Sequence, residues 1–199
     1  MNDKAKIAVF LSGGGSNLQS LIDATVSGKL DGEIVLVVSN KKNAYGLERA
    51  RLAGIDTFVY IVKQYPSPEE AASDLSGMLS NYEVEYIALA GYLKLLPAEI
   101  VSQYKGKITN IHPALLPKYG GKGMYGHYVH EAVLANKETE SGATIHLVDE
   151  IYDNGKILMQ GRVPVLDDDT PETLAARVLV MEHKIYPEAL DNLIKGKYR

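Results

Sequence analysis

Asn110 and His112 are the first pair of residues in this sequence whose types and spacing could do chemistry. They end an apolar run that begins at Ile108, and a proline follows them. Side chains two positions apart in an extended segment point to the same side, so the amide and the imidazole can face one site. An amide donor beside an imidazole suits the stabilisation of an oxyanion and the transfer of a proton. The alternative is a structural histidine that is hydrogen-bonded beside a turn proline.

The acidic loop at 149–155 could complete such a site, because it also follows a predicted strand. A carboxylate in this loop, such as Asp153, could orient the imidazole of His112 and raise its pKa. We therefore expect His112 to be protonated if the two side chains meet. The alternative is an acidic turn that is exposed to solvent.

A glycine-rich turn at 12–17 follows the first predicted strand and opens a helix. Backbone N–H groups point outward at such a position and the helix dipole favours an anion, so the turn can bind a phosphate. Two more specific phosphate-binding motifs do not match this turn. The dinucleotide-binding pattern needs a third glycine where Leu18 stands, and the lysine that ends a P-loop is missing. The alternative is a tight strand-to-helix turn that binds nothing.

Three further histidines and one apolar segment have structural explanations beside functional ones. His127 and His130 are three positions apart on a predicted helix, a spacing that can bind a metal. They lack nearby carboxylates, so we expect no metal site. His146 alternates into a strand and can be structural. The segment 90–97 could belong to the core, or it could form an apolar wall for a heterocycle.

The elements that would position these residues follow from the hydrophobic pattern. Short apolar runs alternate with amphipathic stretches, which is typical of βαβ units. Strands are predicted at 7–11, 34–38, 57–62, 87–90, 108–111, 144–148 and 157–165. Helices are predicted at 18–26, 47–52, 68–81 and 128–135, and a last one begins after Thr170. We expect one α/β domain over 1–199, whose mostly parallel twisted sheet has helices on both faces and antiparallel strands near the C-terminus.

Composition excludes several classes of protein. The 199 residues are 46% hydrophobic and 23% charged, which is ordinary for a globular protein. The absence of cysteine excludes disulfide scaffolds, thiolate zinc sites and cysteine nucleophiles, and it fits a reducing cytoplasm. A net charge of -4 gives no reason to expect nucleic acid, and no segment suits a signal peptide or a membrane span. We expect a cytoplasmic monomer or homodimer that acts on small molecules.

Six stretches together resemble the folate-dependent phosphoribosylglycinamide formyltransferases of purine biosynthesis, and they cover nearly the whole chain. They are SGGGSNLQSLID (12–23), SNKKNAYGLERARLAGI (39–55), LAGYLKLLP (89–97), NIHPALLPKY (110–119), GATIHLVDEIYDNGKIL (142–158) and EHKIYPEAL (182–190). The resemblance implies a Rossmann-like fold and transfer of a formyl group from 10-formyltetrahydrofolate to the amine of glycinamide ribonucleotide, without a metal. Asn110 and a protonated His112 would stabilise the oxyanion.

The resemblance also implies a role for particular residues. The catalytic trio would be Asn110, His112 and Asp153. The substrate-binding residues would be Gly14, Gly15, Ser16 and Asn17 at the phosphate, with Glu182 near the ribose. The folate-binding residues would be Leu93, Lys94, Leu95, Leu96 and Asn110, together with a loop from Val148 to Asp153.

Three positions depart from the pattern of the family. Pro68 and Leu179 stand where relatives have basic or polar residues near the folate tail and the phosphate. The loop GGKGMYGH at 120–127 is longer than the better-known PGLHTH form. Two alternatives remain open, a formyltetrahydrofolate hydrolase on the same scaffold and a nucleotide- or folate-binding module without catalysis. The hydrolases usually carry an additional N-terminal regulatory domain, whereas this sequence begins at the first predicted strand.

Overall fold

The computed structural model describes residues 4–198. Residues 1–3 and 199, which the predicted domain includes, lie outside the described residues. The strands are β1 Ala5–Leu11, β2 Gly32–Ser39, β3 Asp56–Val59, β4 Tyr86–Leu89, β5 Ile108–His112, β6 Glu140–Leu147 and β7 Ile157–Pro164. The α-helices are α1 Ser16–Val26, α2 Tyr45–Leu52, α3 Pro68–Asn81, α4 Ala98–Gln103, α5 His127–Ala135 and α6 Pro171–Ile194.

All seven strands form one sheet in the order β3-β2-β1-β4-β5-β6-β7. The first five strands are parallel, and the pairs β5–β6 and β6–β7 are antiparallel. This arrangement confirms the predicted fold class, including the antiparallel strands near the C-terminus. Among residues 4–198, no helix is long and apolar enough to cross a membrane.

Strand β1 explains why helices cover both faces of the sheet. Its residues from Ile7 to Leu11 are fully buried. Because side chains alternate along a strand, Ile7 and Val9 enter one core while Ala8 and Phe10 enter the other. The first core packs against α1, α2, α5 and α6, and the second packs against α3 and α4. A strand that is buried on both faces has apolar residues at every position, which explains the continuous apolar run at 7–11.

The strand order creates a crevice beside β1. The chain moves outward from β1 to β2 and β3, and then returns to the other side of β1 as β4. Open α/β sheets bind ligands at such a switch point, outside the carboxyl ends of the strands. A hydrogen bond joins the two loops that leave this point, because the N–H of Leu93 donates to Oγ of Ser12 over 2.8 Å.

Most predicted boundaries lie within two residues of the observed ones, and three elements differ more from the prediction. The strand predicted at 57–62 ends at Val59, and a 3₁₀ helix at Val62–Gln64 follows it. Helix α4 was not predicted, since a helix of 6 residues is too short to display the 3.6-residue period. Strand β6 starts at Glu140, well before the predicted position 144, because it pairs with β7 along its whole length.

Helix α6 begins as the sequence predicts. The side chain of Thr170 accepts a hydrogen bond from the N–H of Thr173, and the Thr173 side chain accepts one from the N–H of Thr170. Pro171 occupies the first turn, where the missing N–H has no intrahelical role. This cap fixes the start of a helix of 24 residues that later supplies Glu182 to the site.

Replacing Thr170 with alanine should lower the free energy of unfolding by about 1 kcal/mol, because the N–H of Thr173 loses its side-chain acceptor. In a chain of this size such a loss lowers Tm by roughly 2–4 °C. Thr170→Ser keeps the hydroxyl and is the matched control. Thermal unfolding followed by circular dichroism measures both variants. Equal Tm values for the two would show that this cap does not stabilise the helix.

Candidate active site

The candidate active site is a cavity of about 780 Å³ outside the carboxyl ends of β1, β4 and β5. Loops from all three strands, the loop before α5 and the first half of α6 form its walls. The predicted site residues that line it are Gly14, Gly15, Ser16, Asn17, Leu93, Asn110, His112, Asp153 and Glu182. The fold therefore brings residues from the whole length of the chain to one place.

The glycine-rich turn presents the start of α1 to this cavity. Gly15 has φ 72°, a left-handed conformation that glycine adopts without strain. A Cβ atom here would also lie 2.6 Å from Cα of Gly46, so no larger residue fits. Helix α1 begins at Ser16 without a side-chain cap. Its first N–H groups have no intrahelical partner and can bind an anion.

The Asn17 side chain is hydrogen-bonded to Glu182. Its Nδ2 donates to Oε2 of Glu182 over 2.7 Å, and both residues are buried. Burial raises the pKa of Glu182, although the hydrogen bond from Asn17 opposes the shift. One N–H of the Asn17 amide is therefore taken by Glu182, and the backbone N–H groups of the turn remain for an anion.

Both ring nitrogens of His112 face an acceptor. Nε2 lies 2.7 Å from the carbonyl oxygen of Tyr119, and Nδ1 lies 3.5 Å from Oδ2 of Asp153. A carbonyl oxygen can only accept, so Nε2 carries a hydrogen. Nδ1 is then the nitrogen that can gain or lose a proton. The side chain is buried, with a relative exposure of 5%.

The pKa of His112 is lowered, contrary to the expectation from sequence. Burial penalises the charged imidazole, and this effect exceeds the opposing attraction of Asp153 and of the Tyr119 carbonyl. Asp153 does favour the imidazolium, as expected, but its contribution is the smaller one. His112 is consequently neutral near pH 7.

The Asp153 carboxylate is held by three groups. Its Oδ2 accepts a hydrogen bond from the N–H of Gly121 over 2.8 Å, and its Oδ1 lies 3.5 Å from Nε2 of His146. His112 is the third group. Burial raises the pKa of Asp153. The hydrogen bonds and the two imidazoles lower this pKa by more, so the net shift is downward. The carboxylate is therefore ionised.

The loop after β6 holds Asp153 in an unusual backbone conformation. Asp153 has φ 54°, a left-handed value that aspartate tolerates better than most residues. The side chain of Asp149 accepts a hydrogen bond from the N–H of Ile151 and so shapes the loop. Gly155 closes it, because any Cβ there would lie 1.8 Å from the carbonyl oxygen of Leu147.

His146 is a site residue that sequence reasoning missed. Its Nδ1 donates to the carbonyl oxygen of Leu147 over 2.8 Å, and its Nε2 lies 3.1 Å from Nδ2 of Asn110. The antiparallel register pairs His146 with Asn110 directly across β5 and β6. The alternation of His146 into a strand was visible in the sequence, but the pairing register was not.

Four residues assigned to folate do not lie in the cavity wall. Lys94 is exposed outside it. Leu95 and Leu96 line a separate cavity of about 260 Å³, together with Pro68. Val148 packs against the second core. Of the individual residues assigned to folate, Leu93 and Asn110 do line the cavity, as does the start of the apolar segment at 90–92, and the folate assignments stay predictions.

Two histidines among the first four residues of α5 also reach this cavity. His127 and His130 line it. Within the described part of the chain, no group of three or more histidine, aspartate or glutamate side chains could hold a metal ion. Burial lowers the pKa of His130, so its ring is neutral near pH 7.

Comparison with known proteins identifies the family. A family model described as formyl transferase matches residues 5–190. This chain belongs to the formyl transferase family. The resemblance inferred from the six sequence stretches is therefore confirmed, and the chain is an enzyme of the transferase class.

Within this family, the formyl transferase is similar to proteins named phosphoribosylglycinamide formyltransferase. It is 49% identical to the chloroplastic protein of Arabidopsis thaliana, and the match covers 98% of this chain and 68% of that protein. It is 39% identical to the protein of Escherichia coli K12, over 97% of this chain and 89% of that protein. Glycinamide ribonucleotide transformylase 1 from Symbiobacterium toebii superposes with a TM-score of 0.91 at 37% identity, over 98% of this chain and 90% of that chain.

A formyltetrahydrofolate deformylase from Pseudomonas syringae has the same fold, with a TM-score of 0.87. It is 22% identical to this formyl transferase over 98% of this chain and 63% of that chain. At that identity the likeness concerns the fold alone.

The imidazole of His112 should titrate below its ordinary value of about 6.5, because burial disfavours the charged form. Asp153→Asn removes the carboxylate that favours the imidazolium, so the pKa of His112 should fall further. Asp149→Asn is the matched control in the same loop, since its carboxylate contacts Ile151 rather than His112. NMR of the imidazole resonances across pH measures each midpoint. A midpoint above 6.5, or one that Asp153→Asn leaves in place, would contradict this arrangement.

Proposed function

We propose that this formyl transferase moves the formyl group of 10-formyltetrahydrofolate to the amino group of glycinamide ribonucleotide. The observation that carries the proposal is the composition of one cavity. It joins an anion-binding helix start at Ser16 to the cluster of Asn110, His112 and Asp153. A substrate that has a phosphate at one end and a reacting amine at the other requires this combination.

The ribonucleotide would lie between α1 and α6. Its phosphate would accept hydrogen bonds from the N–H groups at the start of α1, whose dipole favours negative charge. Glu182 would lie near the ribose, because it is buried in the cavity wall beside Asn17. The Oδ1 atom of Asn17 is buried and lacks a partner among the described residues, so a ribose hydroxyl could donate to it.

The formyl-folate would approach from the β4 side of the cavity. The backbone after β4 is fixed there by the hydrogen bond from Leu93 to Ser12. The Leu93 side chain is 49% exposed and offers an apolar surface for a flat heterocycle. This approach would place the formyl group near Asn110 and His112.

The reaction begins when the amine nitrogen attacks the formyl carbon and negative charge develops on the formyl oxygen. The Asn110 amide has two N–H groups, of which one faces His146 and the other can donate to this oxyanion. The pair formed by Asp153 and neutral His112, whose Nδ1 is the ring nitrogen without a hydrogen, accepts a proton from the attacking nitrogen, which has become cationic. It then gives this proton to N10 of the folate as the bond between N10 and the formyl carbon breaks. The products are the formylated amine and tetrahydrofolate.

Asp153 would act through His112. Its carboxylate orients the ring and stabilises the imidazolium that exists between the two proton transfers. The lowered pKa of His112 makes the ring neutral at rest, so it is ready to accept a proton. Burial then makes the charged ring a good acid towards the folate nitrogen.

We further propose that the chain acts as one domain, as a monomer or homodimer, in the cytoplasm. The single seven-stranded sheet supports one domain. The absence of cysteine is compatible with a reducing compartment.

An assay with both substrates tests the proposed reaction. The protein is incubated with 10-formyltetrahydrofolate in the presence and absence of glycinamide ribonucleotide, and products are identified by mass spectrometry. We expect formylated ribonucleotide and tetrahydrofolate in equal amounts, and only when both substrates are present. Formate released without the amine would indicate a hydrolase instead. Binding of both compounds without any product would indicate a module that lacks catalysis.

A further inference from the structure

The cavity wall is poor in positive charge. Its ionisable side chains include three carboxylates, from Asp153, Glu172 and Glu182. Across residues 4–198, Lys122 is the one lysine or arginine that lines it. Arg49 lies close by, but its Nε donates to the carbonyl oxygen of Gly14 from behind the glycine-rich turn, outside the cavity wall. A phosphate entering this cavity would therefore meet a single permanent cation.

We propose that Lys122 pairs with the substrate phosphate and thereby selects a phosphorylated amine. This inference rests on the proposed function, from which the phosphate comes. Helix α6, which is described over its whole length, supplies no cation to this cavity, because Leu179 contributes an apolar side chain and Glu172 and Glu182 are acidic. The positive charge for a phosphate would then come from the loop before α5.

The backbone presents Lys122 at the tip of a tight turn. The N–H of Met124 donates to the carbonyl oxygen of Gly121 over 3.1 Å, which places Lys122 and Gly123 at the two central positions. Gly123 has φ 92°, and the third position of a type II turn requires such a positive value. The Lys122 side chain is exposed, and the hydrogen bond that closes the turn is made by the backbone of Gly121 and Met124.

The same turn is attached to the catalytic carboxylate. Gly121 has φ 95°, and its N–H donates to Oδ2 of Asp153 over 2.8 Å. Lys122 is thus one residue from a peptide group that Asp153 holds. The hydrogen bond from Gly121 to Asp153 thus fixes the base of the turn that carries Lys122.

Two substitutions and two ligands test the inference. Lys122→Met removes the charge and keeps the length of the side chain, whereas Lys122→Arg keeps the charge. Glycinamide ribonucleotide and the riboside that lacks the phosphate are the ligands. Lys105→Met is the matched control, because Lys105 is an exposed lysine that precedes β5 at the opposite edge of the sheet.

We expect Lys122→Met to lower kcat/KM for the ribonucleotide by about tenfold, mainly through KM, since one charge-assisted contact is lost. The KM for formyl-folate and the kcat/KM for the riboside should stay near wild type. Lys122→Arg should restore most of the loss, and Lys105→Met should cause none. An equal loss for both ligands, no loss for either, or no rescue by arginine would overturn the inference.

Calorimetry in the absence of folate separates this inference from the proposed reaction. The ribonucleotide should bind wild type about tenfold more tightly than Lys122→Met, and the riboside should not distinguish them. If this pattern holds while wild type forms no formylated product, the proposed reaction fails and the phosphate contact stands. If product forms normally while both proteins bind the ribonucleotide equally, the role of Lys122 is wrong and the reaction stands.

Discussion

The rest of the site depends on the contacts that the Asp153 carboxylate makes with its neighbours. Its two oxygens contact groups from three segments, namely His112 at the end of β5, His146 on β6 and the N–H of Gly121 in the loop before α5. The left-handed backbone at Asp153 aims the carboxylate at these partners. Because the group is mostly buried and ionised, each partner that it loses would leave negative charge uncompensated in a medium of low dielectric.

The antiparallel end of the sheet is what makes this cluster possible. Strand β5 runs parallel to its neighbour β4, but β6 returns beside it and sets His146 opposite Asn110. The loop between β6 and β7 then folds back and brings Asp153 within 3.5 Å of both His112 and His146. The antiparallel pairing thus sets the two histidines and Asn110 close enough to share one carboxylate loop.

Much of the fold could be predicted because its central strands are buried on both faces. Such strands read as continuous apolar runs, and 7–11 is the clearest example. The alternation of Asn110 and His112 at a strand end likewise indicated one shared site, and both line the cavity. His146 could not be found in this way, since its role depends on the register between two strands. Asp153 raises the pKa of His112 as predicted, but the net shift is downward and the expected protonation was wrong, because the sequence shows a neighbouring carboxylate and not the depth of burial.

The central claim is that His112 and Asp153 act as one unit in moving the proton. A double-mutant cycle measures this directly, through kcat for Asp153→Asn, His112→Asn and the double variant, with the Kd of glycinamide ribonucleotide as the check on binding. Residues that act together have non-additive effects. The account predicts that each single change lowers kcat by orders of magnitude with a modest effect on Kd, and that the double variant is little worse than the worse single one. Losses that multiply in the double variant would contradict it.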